Sequence, residues 1–290
     1  MYRLCKSRTK QVFVFATVAL SSSLAPTKGR TIMGGDGYEI VQFPALRDNY
    51  GFLIHDTKSK ATAAIDTPQV EPILEALRAK NWELTHIFNT HHHHDHAGGN
   101  AELCSKFSQV QVVAPFLEKE KIGRVDQAVK GGDIIKLGAL TFHIIDVGGH
   151  TLGHIAYFCP QAEAAFVGDA IFAMGCGRMF EGTYPQFTES LKRISSLPDD
   201  TALYCAHEYT MANAKFALSV DPQNPHLIAR AKEVESKRAN NIPTVPTTLA
   251  LEKLTNPFIR FDALRAELNL PPDSSDVDVF AALRKAKDSF

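Results

Sequence analysis

The chain has 290 residues, 44% of them hydrophobic, and a formal net charge of −1. That length suits one large domain or a domain with an appendage, and the near-neutral charge excludes nucleic acid as the expected partner. Five cysteines (Cys5, Cys104, Cys159, Cys176, Cys205) without CxxC spacing exclude a zinc ribbon and a dense disulfide framework, and they favour a reducing compartment.

Charge is uneven along the chain. Residues 1–35 hold six cations and no acid, and taking those six from −1 leaves the rest at −7. The apolar stretch 12–20 is shorter than the roughly 20 residues a membrane-spanning helix needs. It fits a signal peptide or an acid-free, Ser/Thr-rich transit peptide, and the plain alternative is an upstream start codon with Met33 as the working start. On each reading residues 1–35 form a leader outside the folded domain. A transit peptide implies a mitochondrial or other organellar address, its absence a cytoplasmic one, and no stable membrane association is expected.

From residue 38 to 172 the chain alternates β-branched runs with turns and helical pieces. YEIVQF, YGFLIHD, TAAIDT, LTHIFNT, VQVVAP, LTFHIIDV, HIAYFCP and AAFVGDA each have strand character, and QVEPILEALRAKN and NAELCSKFS have helical spacing. The pattern predicts a layered α/β core over 36–205. Residues 206–290 read as a helical appendage: NPHLIARAKEVESKRANN, TTLALEKLTN, and a last helix opened by Ser275 and Asp278 as an Asp version of the capping box.

Residues 89–100 read NTHHHHDHAGGN. The run is internal, interrupted by an acid and preceded by an apolar strand, which excludes a purification tag. Extended chain projects alternate residues to one side. Carried past LTHIFNT, that alternation groups His91, His93 and Asp95 and sends His92 and His94 the other way. Asp95 and His96 share a direction only if the chain turns, and AGGN supplies a turn. The cluster offers nitrogen and carboxylate donors to two neighbouring cations, a set suited to zinc, iron or manganese. Further donors sit at the ends of later strands: His150 after IIDVGG, Asp169 after AAFVG and His207 after LYCA. Each alone reads as structural; together they put loop-borne donors at one edge of successive strands.

H-x-H-x-D-H followed by a glycine-flanked His, GD and a late His resembles the metallo-β-lactamase superfamily. THHHHDHAGGN, GHTLGH, GCGRMFEGT, HEYT and NPFIR resemble, more narrowly, the glyoxalase II (hydroxyacylglutathione hydrolase) family, over residues 38–290. The resemblance implies an αβ/βα sandwich with a C-terminal all-α domain. It implies two divalent metal ions, zinc first with iron or manganese accepted: His91, His93 and His150 on one, Asp95, His96 and His207 on the other, Asp169 bridging. His55, His86, His143, His154 and His226 stay outside the ligand set, with His154 beside it.

The implied reaction is hydrolysis of S-D-lactoylglutathione to D-lactate and glutathione, by a monomer, as the second step of methylglyoxal detoxification. A hydroxide shared between the metals would attack the thioester carbonyl, with Asp169 and Asp95 as catalytic carboxylates and Asp95 orienting the hydroxide. Substrate-binding positions carried over are Arg178, Phe180, Tyr209, Arg284 and Lys287. Arg284 and Lys287 share a helix face by i, i+3 spacing. Phe180 stands where tyrosine is common and Arg178 where lysine is common. A lost hydroxyl removes one hydrogen bond of about 0.5–1.5 kcal/mol, so a relative of glutathione is a second candidate for the thiol carrier. Two rival readings remain: a mononuclear iron persulfide dioxygenase of the same superfamily, and a catalytically silent metal-binding scaffold.

Overall fold

The computed structural model describes residues 30–290, and most of the basic leader lies outside the described residues. Arg30–Gly35 forms a strand (β1), which corrects the expectation that all of 1–35 stands apart from the fold. The cause is Asp36-Gly37, a hairpin dipeptide with Gly37 at φ +103°, which folds β1 antiparallel onto β2 (Tyr38–Ala45). β3 (Asn49–Asp56) and β4 (Thr62–Ile65) continue antiparallel. Helix α1 (Val70–Lys80) then crosses to β5 (His86–Phe88), parallel to β4. Helices α2 (His94–Ala97) and α3 (Asn100–Lys106) lead to β6 (Gln111–Pro115), and α4 (Lys119–Ile122) to β7 (Gln127–Val129), both parallel. The seven strands form one sheet in chain order.

A second sheet runs antiparallel through β8 (Ile134–Leu137), β9 (Leu140–Asp146), β10 (Ile155–Cys159) and β11 (Ala164–Gly168). A small hairpin, β12 (Ile171–Phe172) with β13 (Gly175–Cys176), follows. Helix α5 (Tyr184–Ser195), capped by Thr183, returns the chain so that β14 (Ala202–Cys205) lies parallel to β11. The remainder is mostly helical: α6 (Thr210–Val220), α7 (Pro225–Ala239), α8 (Leu249–Thr255), α9 (Phe261–Leu264) and α10 (Asp276–Ser289). Between α7 and α8, β15 (Thr247–Thr248) pairs with β14 at the sheet edge. The capping box at Ser275 and Asp278 forms as read.

Period-two alternation sorts the first sheet's side chains. Ile40, Phe52, Ile54, Ala63, Ile65, Phe88 and Val113 face the second sheet. Their neighbours Val41, Leu53, Ala64, Ile87 and Val112 pack under Ile73, Leu77 and Leu103 of α1 and α3. On the far side, Phe187, Leu191 and Ile194 of α5 are buried at i, i+4, i+7. The layers are therefore αβ/βα. Phe88 locks the sheets together, stacked 5.2 Å from Tyr157 and edge-on 5.3 Å from Phe142. Such burial contributes about 1.5–3 kcal/mol per side chain. No helix among the described residues is long and apolar enough to cross a membrane.

Candidate metal centre

The donor-bearing loops follow β5, β9, β11 and β14 and converge at one edge of the sandwich. The turn that brings Asp95 and His96 inward comes earlier than AGGN. It is α2 itself, where the backbone N–H groups of His96 and Ala97 both donate to His93 O at 2.9 Å. Gly98 and Gly99 then join α2 to α3, and a Cβ on Gly99 would lie 2.8 Å from Thr67 O. His94 faces solvent, and His92 points away from the cluster.

Hydrogen-bond partners assign the tautomers. Thr90 Oγ1 donates to Asp66 Oδ2 (2.8 Å), so it accepts from His91 Nδ1 (3.0 Å) and leaves the His91 Nε2 lone pair free. His150 donates from Nδ1 to Arg178 O at 2.7 Å, freeing its Nε2. Both Nε2 atoms stand 3.0 Å from His93 Nδ1. With the His93 proton on Nε2, three lone pairs face one another and repel unless a positive charge stands among them, so this donor set fits a cation. Across the site, His96 donates from Nδ1 to Asp66 (2.7 Å) and His207 from Nδ1 to Asp48 (2.9 Å). Their Nε2 atoms lie 3.6 and 3.4 Å from Asp95 Oδ2. Asp169 faces both halves: Oδ1 is 3.4 Å from the Nε2 of His96 and of His207, and Oδ2 is 3.4 Å from His150 Nε2. His96 Nε2 and Asp169 Oδ1 are buried with no hydrogen-bond partner, as atoms awaiting a metal would be. The seven residues fall into overlapping triads whose ligand atoms lie within 4.8 Å of one another.

The two halves differ electrostatically. Burial, reinforced by neighbouring imidazoles, holds His91 well below its ordinary value and lowers His93 and His150. They are therefore neutral, the form that ligates. Burial also acts against charge on His96 and His207, but Asp169 together with Asp66 and Asp95 around His96, and with Asp95 and Asp48 around His207, outweighs it, and His207 rises to about 11. Burial would raise Asp95 and Asp169 too, yet His207 and His96 keep both well below the usual carboxylate range.

Several contributors carry no sequence signal that singled them out. Asp66, Asp48 and Asn49 orient His96, His207 and Asp95; Asn49 Nδ2 donates to Asp95 Oδ2 at 3.1 Å. Of these only Asp66 shares a visible pattern with the donors, as an acid closing an apolar strand. His154 lies beside the donor cluster: its ring stacks 4.5 Å from His91 and its Nε2 accepts from the Asp169 N–H at 3.1 Å. Asn256 of NPFIR donates to Phe172 O and Gly175 O, fixing the β12–β13 hairpin. In GCGR a Cβ on Gly177 would lie 2.0 Å from Asp169 O, so only glycine fits beneath that acid.

A cavity of about 400 Å³ opens over the cluster, and Arg178, Phe180, Tyr209, Arg284 and Lys287 all line it. Phe180 is 59% exposed at the mouth and meets the rings of His93 and His150 edge-on. Tyr209 stacks on His207 at 4.6 Å, and burial followed by the Asp48 charge raises its hydroxyl above the ordinary value. Arg284 is buried: Nη1 donates to Cys176 O and Gly177 O, Nη2 to Asp288, and its Nε has no partner. Lys287 is lowered to about 8 by burial and then by Arg284. Cys176 and Cys205 are buried free thiols pushed up to about 11 and about 12 by burial, which suits packing rather than nucleophilic roles.

The model of the metallo-beta-lactamase superfamily matches residues 56–207, and that of the hydroxyacylglutathione hydrolase C-terminus matches 208–290. Proteins named hydroxyacylglutathione hydrolase from Erythrobacter litoralis and Maricaulis maris are 52% and 51% identical, over 87% of this chain and 99% and 98% of theirs. The crystal structure of ETHE1 from Myxococcus xanthus aligns with a TM-score of 0.57 at 25% identity, covering 89% of this chain and 99% of that one.

Proposed function

The chain belongs to the hydroxyacylglutathione hydrolase family of the metallo-β-lactamase superfamily, a hydrolase with a divalent-metal site, and on that premise we propose that it converts S-D-lactoylglutathione to D-lactate and glutathione. The observation that carries the reading is the convergence of seven donors with Asp169 turned to both halves. His91, His93 and His150 would hold one cation and Asp95, His96 and His207 a second, with Asp169 shared and zinc as the expected metal. Such cations supply Lewis acidity, lowering the pKa of bound water from about 15.7 towards about 7 and polarising a carbonyl oxygen.

The chain's own groups do the rest. Asp95, fixed by Asn49, orients the attacking water at the cavity floor. Water cleaves the C–S bond: its oxygen bonds to the acyl carbon, one of its protons passes to solvent, and sulfur leaves with the bonding pair as a thiolate too weakly basic to need a strong general acid. Tyr209, kept protonated, is a hydrogen-bond donor to the substrate. Lys287 and Arg178 present cations to the two glutathione carboxylates, while Arg284 adds positive charge from within the cavity wall. Phe180 provides a ring face without a hydroxyl.

Of the rival readings, the persulfide dioxygenase fails to account for the hydrolase-family match over 208–290. The decisive experiment is metal analysis alongside thioester hydrolysis for the wild type and Asp169→Ala. Two metals per chain with turnover, both lost in the variant, is the expected result. An active Asp169→Ala overturns the shared-carboxylate scheme, and one iron per chain with oxygen uptake overturns the hydrolase reading.

A further inference from the structure

We propose that Glu118 is a positioning residue that sets the spacing between the two chain segments delivering His91, His93 and His150, with His92 as its partner. The inference rests on reading those three imidazoles as cation ligands. His91 and His93 follow β5 in the first sheet, and His150 follows β9 in the second. Nothing in strand pairing fixes their separation, yet both His91 Nε2 and His150 Nε2 stand 3.0 Å from His93 Nδ1.

Glu118, just after β6, is 2% exposed. Each of its oxygens serves one segment. Oε2 accepts from the backbone N–H of His92 (2.7 Å) and from His92 Nδ1 (2.8 Å). Oε1 accepts from Thr151 Oγ1 (2.5 Å) and from the Gly153 N–H (2.8 Å), on the loop that begins at His150. One carboxylate thus spans the gap between the sheets, and its width becomes the separation of the segments. A backbone bond from Ile155 N to Thr90 O (3.0 Å) ties the same segments next to the ligands. Glu181 completes the clasp: its Oε1 lies 3.6 Å from His92 Nε2, and its Oε2 accepts from the Leu152 N–H at 3.1 Å.

His92, Glu118 and Glu181 are themselves close enough to hold a cation. Every carboxylate oxygen of the pair already accepts from a protein donor, however, with Lys121 Nζ 2.8 Å from Glu181 Oε1. The cluster therefore acts as a hydrogen-bonded clasp and not as a third metal site. A buried carboxylate that accepts four bonds has no substitute: the amide of glutamine presents one accepting atom, so one of the two segments would meet an N–H where it needs an acceptor.

The test uses Glu118→Gln, with Thr151→Val as a milder variant that removes one donor at constant shape. Zinc affinity is measured by competition with a chromophoric chelator, beside kcat, KM and the melting temperature of the metal-free protein. Glu118→Gln is expected to weaken one of the two zinc-binding steps by about 10–100-fold, the usual effect of removing a group that orients ligands. kcat should fall in step and KM should stay within about threefold. Thr151→Val should reproduce part of the loss, and it carries the test if Glu118→Gln fails to fold. Wild-type zinc affinity in both variants overturns the proposal, even if the metal-free protein melts lower, because that pattern is support of the fold alone. Failure of the underlying ligand assignment has a separate signature: His93→Ala and His150→Ala would then retain both zinc ions at full affinity.

Discussion

Asp66→Asn is a nearly isosteric change whose effect follows from proton placement. Asp66 is buried; Oδ1 accepts from the Thr90 N–H (2.7 Å), and Oδ2 accepts from Thr90 Oγ1 (2.8 Å) and His96 Nδ1 (2.7 Å). Asparagine keeps the shape but turns one oxygen into a donor. With its amide nitrogen towards His96, it donates to Nδ1 and drives the imidazole proton onto Nε2, the atom facing Asp95 and Asp169. A protonated Nε2 cannot ligate. The opposite flip sets the amide against the Thr90 N–H and leaves a buried donor unpaired, at about 1–3 kcal/mol. Either way, cation affinity on the His96 side should fall about 10–100-fold, or roughly 1.4–2.8 kcal/mol.

The assay is chelator competition on Asp66→Asn beside Asp66→Ala. Alanine removes all three bonds and leaves a small void, but it lets His96 keep either tautomer. Proton placement therefore predicts that asparagine damages metal binding at least as much as alanine. A packing role predicts the reverse order, since asparagine fills the space. Finding Asp66→Asn clearly tighter for metal than Asp66→Ala would refute the reasoning.

Gly177→Ala should lower kcat by about a hundredfold or more, because a Cβ 2.0 Å from Asp169 O must displace that acid, and shifts near 1 Å at reacting groups are that damaging; steady-state kinetics check it. Lys287 is lowered to about 8, so its ammonium is present below that pH and lost above it. kcat/KM for an acyl-glutathione should accordingly decline as pH rises through about 8, and Lys287→Arg, whose guanidinium stays charged, should abolish that limb of the profile. His94→Ala, at an exposed position, should leave metal content and turnover unchanged by metal analysis and kinetics. Phe88→Ala should destabilise the protein by about 3–5 kcal/mol in denaturant unfolding, since Phe88 is fully buried between Tyr157 and Phe142.

Donors and the groups that orient them differ in how far they can be read from sequence. The run from His91 to His96 is visible because one short segment concentrates several potential metal donors of rare residue types in one place. The alternation of an extended chain then separates His91 and His93 from His92 without any fold. His150, Asp169 and His207 are visible only as polar residues closing apolar strands, and they become a set through convergence or resemblance. Asp48 and Glu118 have no such mark. Asp48 meets His207 across 159 positions, and Glu118 joins residue 92 to residues 151 and 153. Those partnerships are products of sheet pairing, which local sequence does not encode. The strand at 30–35 is hidden for another reason: its only local mark is the two-residue turn Asp36-Gly37, and it lies within the acid-free basic stretch that reads as a leader.

The C-terminal helix shows why a bland and a functional reading of the same residues need not compete. A basic stretch at a helix end is favoured by the macrodipole alone, and that explanation requires no cavity. In the folded chain Arg284 turns inward, and one guanidinium nitrogen holds the carbonyls of Cys176 and Gly177. Gly177 is the residue that packs beneath Asp169 and beside His150. Lys287, one turn on, faces the same cavity and loses part of its proton affinity to burial and to Arg284. A helix dipole favours the charged form of cations at a C-terminal end and would not by itself lower a lysine. A buried arginine and a lowered lysine instead mark a wall built against the donor cluster, one that supports the Asp169 loop and that, under the proposed function, would offer positive charge to an anionic thiol carrier.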